Sequence, residues 1–212
     1  MTTLSELRAE YSQSELTKVT VNPDPFRQFE RWLNEAIKAQ LPEPNAMTLA
    51  TVTAGGGPAA RVVLLKDIDS GFVFFTNYTS DKGRQLAENP RAALVFLWLA
   101  LERQVRVEGV VGKIATAESQ AYFRTRPRGS RLGAAASHQS RVVDNRRILE
   151  ERFEKLERRF PGDDIPMPEQ WGGYRLEPFM LEFWQGRRSR LHDRLRYRRQ
   201  VNGSWLIERL EP

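Results

Sequence analysis

The sequence predicts an α+β fold in which mostly antiparallel strands form a closed or nearly closed β-barrel with surrounding helices. Short β-branched or aromatic runs recur between turn signals, whereas apolar residues repeat at helical spacing in only a few segments. Strands and helices do not alternate regularly, as a parallel sheet would require. Because no G-x-G-x-x-G motif follows a strand and no Walker A motif occurs, a Rossmann or P-loop nucleotide domain is not expected.

The first half of the chain predicts an arm, a helix, three strands and a second helix. Residues 1–20 are polar and aperiodic and are expected to form a flexible arm, with one domain over residues 21–212. Asp24 followed by Pro25 is typical of a helix start, and this helix should end before Pro42. The next elements are a meander of strands at 47–53, 59–66 and 72–76, then a helix from Ser80 to Glu88.

The second half predicts two long strands, two helices and a return to strands. The long strands are expected at 92–100 and 103–114, and the helices at 117–125 and 144–160. The last strands are expected at 174–176 and 179–184 and in a final hairpin. That hairpin should turn at Asn202-Gly203, which is the strongest two-residue turn signal in the sequence.

Composition removes several function classes. The chain has no cysteine and two histidines, so it offers no disulfide, thiolate metal site or cysteine nucleophile and little basis for a metal centre. The longest apolar run, 92–101, is ten residues long and too short to span a bilayer. No basic segment followed by an apolar core occurs at the N-terminus. We therefore expect a cytoplasmic protein without a membrane partner.

The charge balance points to an anionic partner or to compositional bias. Lys and Arg together number 33 against 27 Asp and Glu, giving a net charge of +6, and 27 of the cations are arginine. Arginine presents a planar fork of donors that matches phosphate and carboxylate oxygens. A solvated surface explains the total equally well, and both nucleic acid and a small phosphorylated ligand fit a pI of 9.9.

Four clusters could carry chemistry: 61–66, 76–82, 122–130 and 183–194. Each has an ordinary structural interpretation, respectively a strand with solvated ends, a capped helix, a charged loop and a charged strand. Arg61 and Lys66 have opposite parity, so they reach one ligand only if the strand bends or Lys66 lies in its terminal turn.

The last cluster is the most basic part of the chain. Seven of the thirteen residues from 187 to 199 are arginine. If 190–198 is a strand, its alternate residues share one positive face, which requires an anion, an acidic partner or open solvent opposite. These residues are Arg190, His192, Arg194, Arg196 and Arg198. With few nucleophiles available, an enzyme built on this chain is expected to take its reactivity from an organic cofactor.

Eleven motifs, in order and with compatible spacing, resemble those of the FMN-dependent pyridoxine/pyridoxamine 5′-phosphate oxidases. They are L-R-A-E-Y (7–11), R-V-V-L-L-K (61–66), F-F-T-N (74–77), S-D-K (80–82), N-P-R (89–91), E-R-Q-V (102–105), Y-F-x-x-R-P-R-G-S (122–130), Q-S (139–140), W-G-G-Y-R (171–175), E-F-W-Q-G (182–186) and R-L-H-D-R (190–194). The resemblance runs from near residue 7 to the C-terminus and implies a homodimeric split barrel that binds FMN at the dimer interface.

The resemblance also implies site residues. FMN contacts would fall on Arg61, Val62, Val63, Leu64, Leu65, Lys66, Phe75, Thr76, Lys82, Gln104, Gln139, Ser140, Trp184 and Arg194. The substrate would be bound by Arg8, Tyr11, Lys66, Tyr122, Arg126, Ser130, Arg190 and His192. Within that set, Arg190 and His192 would be the catalytic pair over the pyridine ring, and the segment 8–11 could fold down as a lid.

The implied reaction converts pyridoxamine 5′-phosphate or pyridoxine 5′-phosphate to pyridoxal 5′-phosphate by hydride transfer to FMN. Dioxygen would then reoxidise the flavin and give hydrogen peroxide. The sequence departs from the family pattern at Asp81, where arginine is common, and at Arg131 and Ala135. A carboxylate at position 81 should repel the FMN phosphate, which predicts weaker FMN binding.

Three alternatives stay open. The first is another split-barrel flavoenzyme, such as a phenazine-pathway oxidase or a flavin reductase. The second is a basic nucleic-acid-binding module, which would lose affinity steeply with salt. The third is a protein that stores pyridoxal phosphate without turnover. The joint presence of Lys66, Tyr122, Arg126 and Ser130 favours the vitamin phosphate, so no nucleic-acid partner is expected.

Overall fold

The computed structural model describes residues 3–6 and 10–212 and contains one sheet of nine antiparallel strands. The strands are β1 (Ala46–Val52), β2 (Pro58–Leu64), β3 (Asp67–Ile68), β4 (Phe72–Asn77), β5 (Arg91–Trp98), β6 (Arg103–Lys113), β7 (Trp171–Gln185), β8 (Asp193–Arg199) and β9 (Trp205–Leu210). The α-helices are α1 (Pro25–Lys38), α2 (Asp81–Glu88), α3 (Thr116–Thr125), α4 (Arg128–Ala136) and α5 (Arg146–Arg159). Short 3-10 turns lie at Leu4–Glu6, Leu99–Leu101 and Arg188–Arg190.

The sheet curls into a split barrel with strand order β2-β1-β5-β6-β7-β4-β3. Strand β7 belongs to two parts of it, because its first residues pair with β4 and its last residues pair with β8. After β2 ends, the Lys66 N–H donates to the Val73 carbonyl (2.8 Å). This bond joins the chain that follows β2, at one end of the strand order, to β4 near the other end. The predicted α+β class with a mostly antiparallel split barrel is confirmed.

Aromatic side chains fill the barrel core. Phe29 of α1 is fully buried and packs edge-to-face on Phe72 and Phe96, with ring centroids 5.0 and 4.7 Å apart. The helix begins as the sequence predicts, because the Asp24 carboxylate accepts the N–H of Phe26 (2.8 Å) and Pro25 occupies the first turn. A second apolar cluster, around Phe123, Leu132, Ile165 and Trp171, joins the helices α3 to α5 to one side of the sheet.

The two strands predicted at 174–176 and 179–184 form one continuous strand. Residues 171–185 form a single 15-residue strand, although Pro178 within it cannot donate to a ladder. A β-bulge accommodates the proline, because Glu108 pairs with Met180 and Gly109 pairs with Pro178, which leaves Phe179 of β7 as the extra residue. A side chain at position 109 would lie 2.3 Å from the Glu177 carbonyl oxygen, so glycine permits this close approach.

Two further elements differ from the sequence prediction. Helix α4 lies where a charged loop was expected, and β8 begins at Asp193, so the hypothetical strand 190–198 was wrong at its start. Within the predicted arm, residues 11–16 contact the domain. Leu16 is buried in the core, and its N–H donates to the Asp193 carboxylate (3.1 Å).

Candidate functional site

A cleft of about 570 Å³ opens between β2, β4, the start of α2 and the turn from α3 to α4. Many of the residues predicted from sequence line it together. They are Arg61, Val62, Val63, Leu64, Lys66, Phe75, Thr76, Lys82 and Gln139 of the predicted FMN contacts, and Lys66, Tyr122, Arg126 and Ser130 of the predicted substrate contacts. Thr125, Pro127 and Trp171, which the sequence prediction did not include, complete the lining.

The parity objection to Arg61 and Lys66 is resolved by where β2 ends. The strand stops at Leu64, so Lys66 lies in the following turn, and both cations line the cleft. Leu65 behaves differently, because its side chain is 4% exposed and packs in the barrel core. Its N–H donates to the Asn45 carbonyl, and its carbonyl accepts from the Asn45 amide.

The Arg61 guanidinium is held by neutral groups. It donates to Thr51 Oγ1 (2.5 Å), to the Leu49 carbonyl (3.2 Å) and to Gln85 Oε1 (2.9 Å). Burial lowers the pKa of Arg61, an effect that Asp81 partly opposes. Thr51 and Gln85 therefore fix the direction of Arg61, and nothing in their sequence pattern had marked them as site residues.

Lys82 lies beside Arg61 in the first turn of α2. Its ammonium donates to Gln139 Oε1 (3.1 Å), which also accepts from Thr76 (3.0 Å). Burial and the positive charge of Arg61 lower the pKa of Lys82, while Asp81 raises it. Two cations at a helix N-terminus form a seat suited to a phosphate dianion.

Asp81 points its carboxylate at Arg84, with which it forms an ion pair. Its backbone N–H donates to the Ser140 hydroxyl (3.2 Å), where Ser140 has a left-handed backbone (φ 71°). Ser140 thus lies next to the start of α2, and Gln139 bonds Lys82. The repulsion expected from Asp81 is partly offset by Arg84.

Arg126 carries an unmet donor. Its guanidinium lies over the Trp171 ring, 4.8 Å from the centroid, and its buried Nη1 has no hydrogen-bond partner among the described residues. Burial lowers its pKa. Trp171 stacks on Phe75 (5.4 Å between ring centroids), and Phe75 stacks on Tyr122 (3.9 Å). The arrangement is a flat aromatic wall with an unsatisfied cation at one end, which favours a planar anionic ligand.

Ser130 lies in the first turn of α4, and two arginines anchor this helix. Arg128 donates to the Phe160 and Gly162 carbonyls and to Glu157, and Arg131 donates to the carbonyl and carboxylate of Asp163 (both 2.7 Å). Arg131 is 7% exposed, so this departure from the family pattern is a packed helix anchor.

Four of the predicted contacts outside the cleft form a second group, the platform, defined as Gln104, Trp184, His192 and Arg194. The register aligns Gln104 of β6, Trp184 of β7 and Arg194 of β8 in one row across the sheet. The His192 ring lies 4.6 Å from the Trp184 ring, centroid to centroid, and the Tyr11 ring is edge-on to Trp184. These residues do not line the cleft.

His192 presents a defined tautomer. Its Nδ1 accepts the backbone N–H of Arg187 (3.1 Å), so in the neutral ring the proton resides on Nε2. Burial and the charge of Arg190 both lower the pKa of His192. The ring is therefore a hydrogen-bond donor through Nε2 at neutral pH.

The arginine face expected on 190–198 is present only over the residues of β8. Arg190 precedes β8 in a left-handed turn (φ 60°), and His192 also lies before the strand. The arginines that are in the strand face carboxylates: Arg194 pairs with Glu182 (2.8 Å), while Arg196 and Arg198 pair with Glu208 (2.9 and 3.3 Å). Arg8, another predicted substrate contact, lies outside the described residues.

Among the helices that the structure describes, none combines the length and apolarity needed to cross a bilayer.

Comparisons with known proteins agree on one family. Residues 33–160 match the model of the pyridoxamine 5′-phosphate oxidase family, and residues 171–212 match that of the pyridoxine 5′-phosphate oxidase C-terminal dimerisation region. A relative from Cupriavidus necator named pyridoxine/pyridoxamine 5′-phosphate oxidase is 60% identical, with both chains covered in full.

Two solved structures share the fold. PhzG from Burkholderia lata 383, solved with tetrahydrophenazine-1-carboxylic acid, superposes with a TM-score of 0.89 at 33% identity. That match covers 95% of this chain and 100% of the other. A pyridoxamine 5′-phosphate oxidase-related, FMN-binding protein from Nostoc punctiforme reaches 0.74 at 19% identity, covering 91% and 100%.

Proposed function

Since this chain belongs to the pyridoxamine 5′-phosphate oxidase family, we propose that it oxidises pyridoxamine 5′-phosphate and pyridoxine 5′-phosphate to pyridoxal 5′-phosphate with FMN. Both the family and the enzyme class expected from the sequence are confirmed by the comparisons. The observation that carries the finer proposal is the convergence of Lys66, Tyr122, Arg126 and Ser130 in one cleft.

The residues present fit FMN. Arg61 and Lys82 offer two adjacent cations at the start of α2, and neither has a carboxylate within ion-pair distance among the described residues. A dianionic phosphate there would replace the neutral acceptors that now bond both side chains. Phe75 and Thr76 of β4 line the same cleft and would contact the remainder of the cofactor.

When bound, FMN would supply an acceptor for the substrate hydride, with dioxygen as the final oxidant and hydrogen peroxide as its product. The protein supplies binding, orientation and electrostatics. Arg126 Nη1 would bind the substrate phosphate together with Lys66, Tyr122 and Ser130, fixing the reacting carbon. The Nε2–H of His192 would donate to the substrate ring, with Arg190 beside it.

We further infer that the enzyme acts as a homodimer. The C-terminal segment matches a dimerisation region, and it carries Trp184, His192 and Arg194 of the platform. The platform and the cleft hold different parts of the predicted site, and pairing of two chains would bring the platform of one subunit to the cleft of its partner. The exposed apolar side chains Val62 and Leu97 (66% and 55% exposed) supply surface for this contact.

The test is the visible spectrum of FMN-reconstituted protein, followed without air as pyridoxamine 5′-phosphate is added. We expect the flavin band to bleach and to return in air, with formation of pyridoxal 5′-phosphate and peroxide. If FMN binds but stays oxidised, the proposed cofactor would be retained and the proposed substrate would be rejected. Failure to bind FMN would reject the proposal entirely.

PhzG supports a second candidate, oxidation of a phosphate-free aromatic substrate on the same fold. The 60% identity to a named pyridoxine/pyridoxamine 5′-phosphate oxidase, against 33% to PhzG, favours the first candidate. A phosphate dianion brings three oxygens and two charges to Lys66, Tyr122, Arg126 and Ser130, whereas a carboxylate brings two oxygens and one charge. Stronger competition by inorganic phosphate than by acetate, at constant FMN, would therefore favour the first candidate.

A further inference from the structure

Residues 11–13 are tied to the domain beside the platform. The Tyr11 ring lies edge-on to the Trp184 ring and near the His192 ring, with 5.8 Å between centroids in both cases. The backbone N–H groups of Ser12 and Gln13 both donate to Oε2 of Glu102, at 2.9 and 3.0 Å. Two charge-assisted bonds from consecutive amides fix the position and direction of the chain immediately after Tyr11.

Glu102 occupies a backbone conformation that glutamate rarely adopts. It follows the 3-10 turn Leu99–Leu101 in the left-handed region (φ 55°, ψ 39°), which Gly or Asn adopts at lower cost. The residue is 8% exposed, and among the described residues its carboxylate has no ion-pair partner within 4 Å. The arm amides therefore supply the donors that a mostly buried carboxylate requires.

Gly186 provides the space for Tyr11. A Cβ atom at position 186 would lie 2.7 Å from Tyr11 Cγ, which is closer than real contacts allow, and 3.0 Å from Glu102 Cβ, which is a tight contact. The Gly186 N–H also donates to the Glu102 carbonyl (2.7 Å), which links β7 to the turn before β6. Glu102, Gly186 and Tyr11 thus form one packed unit next to Trp184.

From these contacts we propose that Glu102 is a positioning residue that holds Tyr11 against the Trp184–His192 rings, where Tyr11 contacts the substrate. This rests on the proposed function, which makes Tyr11 and His192 substrate contacts. Beyond residue 13 the arm is held independently, since Arg187 donates to the Ser14 carbonyl (3.2 Å) and pairs with Glu15 (2.7 Å). Loss of the Glu102 carboxylate should therefore release Tyr11 without detaching the arm.

The test compares Glu102→Asn with Glu43→Asn in the FMN-loaded, full-length protein. Asparagine tolerates left-handed backbone but is one methylene shorter than glutamate. Glu43 is the matched control, because it is also left-handed (φ 43°) but exposed and outside these contacts. The readouts are amide hydrogen exchange at residues 12 and 13, and KM and kcat for pyridoxamine 5′-phosphate.

We expect exchange at residues 12 and 13 to be about tenfold faster in Glu102→Asn, the ratio that loss of a charge-assisted hydrogen bond predicts. KM should rise about fivefold, with kcat and the FMN dissociation constant within about twofold, since a binding contact is lost. Glu102→Gln keeps a neutral acceptor, so its exchange rates and its KM should lie between those of Glu102→Asn and those of the unmodified protein. Glu43→Asn should match the unmodified protein in every readout.

Unchanged exchange in Glu102→Asn would overturn the contact, and faster exchange with unchanged KM would overturn the positioning role. If Glu102→Asn does not fold, Gly186→Ala tests the same unit, because its methyl group must displace Tyr11 and should raise KM with Glu102 intact. Failure of the proposed function would look different: the unmodified protein and Glu43→Asn would both leave pyridoxamine 5′-phosphate unoxidised, while the exchange experiment would still report on Glu102.

Discussion

The cations of the cleft and those of the last hairpin are chemically alike but have opposite electrostatic surroundings. On β8, Arg194 and Arg196 face the carboxylates of Glu182 and Glu208. In the cleft, Arg61 and Lys82 bond neutral oxygens, and Arg126 leaves a buried nitrogen without a partner among the described residues. The density of arginine along the sequence therefore does not identify the ligand site. The absence of facing carboxylates distinguishes the cleft cations and supports the ligand site that we propose there.

The largest effect is expected at Arg126. Arg126→Met keeps the contact with Trp171 but removes the phosphate donor, so KM for pyridoxamine 5′-phosphate should rise roughly 100-fold with little change in FMN affinity. The midpoint of thermal unfolding should stay equal or rise, because a buried unsatisfied donor is removed. Steady-state kinetics and calorimetry measure both quantities.

Arg128→Met is the control for this prediction, because Arg128 is two residues away but bonds the Phe160 and Gly162 carbonyls. It should lower the unfolding midpoint and leave FMN binding intact. The opposite pattern, with a destabilised Arg126→Met and an unchanged KM, would show that the two regions do not differ as described.

The next effect is expected at Lys82. Lys82→Met should weaken FMN binding about tenfold, because one charged donor at the phosphate seat is lost. The pKa of Lys82 is lowered by burial and by Arg61, so the side chain loses its proton at a lower pH than an ordinary lysine. FMN affinity of the unmodified protein should therefore fall as the pH rises through that pKa.

Fluorescence titrations of FMN over a series of pH values would measure this. Lys82→Met should show no corresponding decline in the same pH range, so the two affinities should converge at high pH. Parallel curves would exclude Lys82 as the titrating group.

A smaller effect is expected at Asp81. Asp81→Arg adds a cation beside the phosphate seat and removes a carboxylate, so FMN should bind about threefold tighter. The gain is limited because Asp81 is already paired with Arg84, which the substitution would release. Equal FMN dissociation constants for Asp81→Arg and the unmodified protein would contradict the repulsion expected from the sequence.

The smallest effect is expected on the arginine strand. Arg198 pairs with Glu208 at 3.3 Å, and its side chain is 54% exposed, so Arg198→Met should give no measurable change in the unfolding midpoint or in FMN affinity. Thermal scans and FMN titration at low salt, where surface charges act most strongly, provide the sharpest check. A loss of FMN affinity there would place the strand among the ligand cations.

Most helices and strands could be predicted from the sequence, because the signals for their starts and ends lie within a few neighbouring residues. The cap at Asp24 and the turn at Asn202-Gly203 depend on neighbouring residues. The cap is present, and the final hairpin turns over residues 200–203, where the Gly203 N–H donates to the Gln200 carbonyl. Helix α4 was missed because its first turn is charged and its interior is rich in small residues. It is held by bonds of Arg128 and Arg131 to residues about thirty positions away and by the packing of Leu132 in the second apolar cluster.

The candidate site divides in the same way. Arg61 and Lys82 could be proposed from their motifs, but the neutral residues that orient Arg61 are brought to it by long-range pairing. Thr51 reaches Arg61 across the β1–β2 pair, and Gln85 reaches it from α2. The pairing of Arg194 with Glu182 depends on the β7–β8 register, which no local pattern specifies.

Strand β7 sets the spacing between the two parts of the site. Near its start, Gly173 pairs with Phe75 beside the cleft, and near its end Trp184 pairs with Arg194. A single inserted residue between them would turn every later side chain to the opposite face of the sheet. The loops at 53–57 and 200–204 can change length more freely by comparison. In β7, divergent sequences must keep the number of residues between the cleft and the platform if the two parts are to work together.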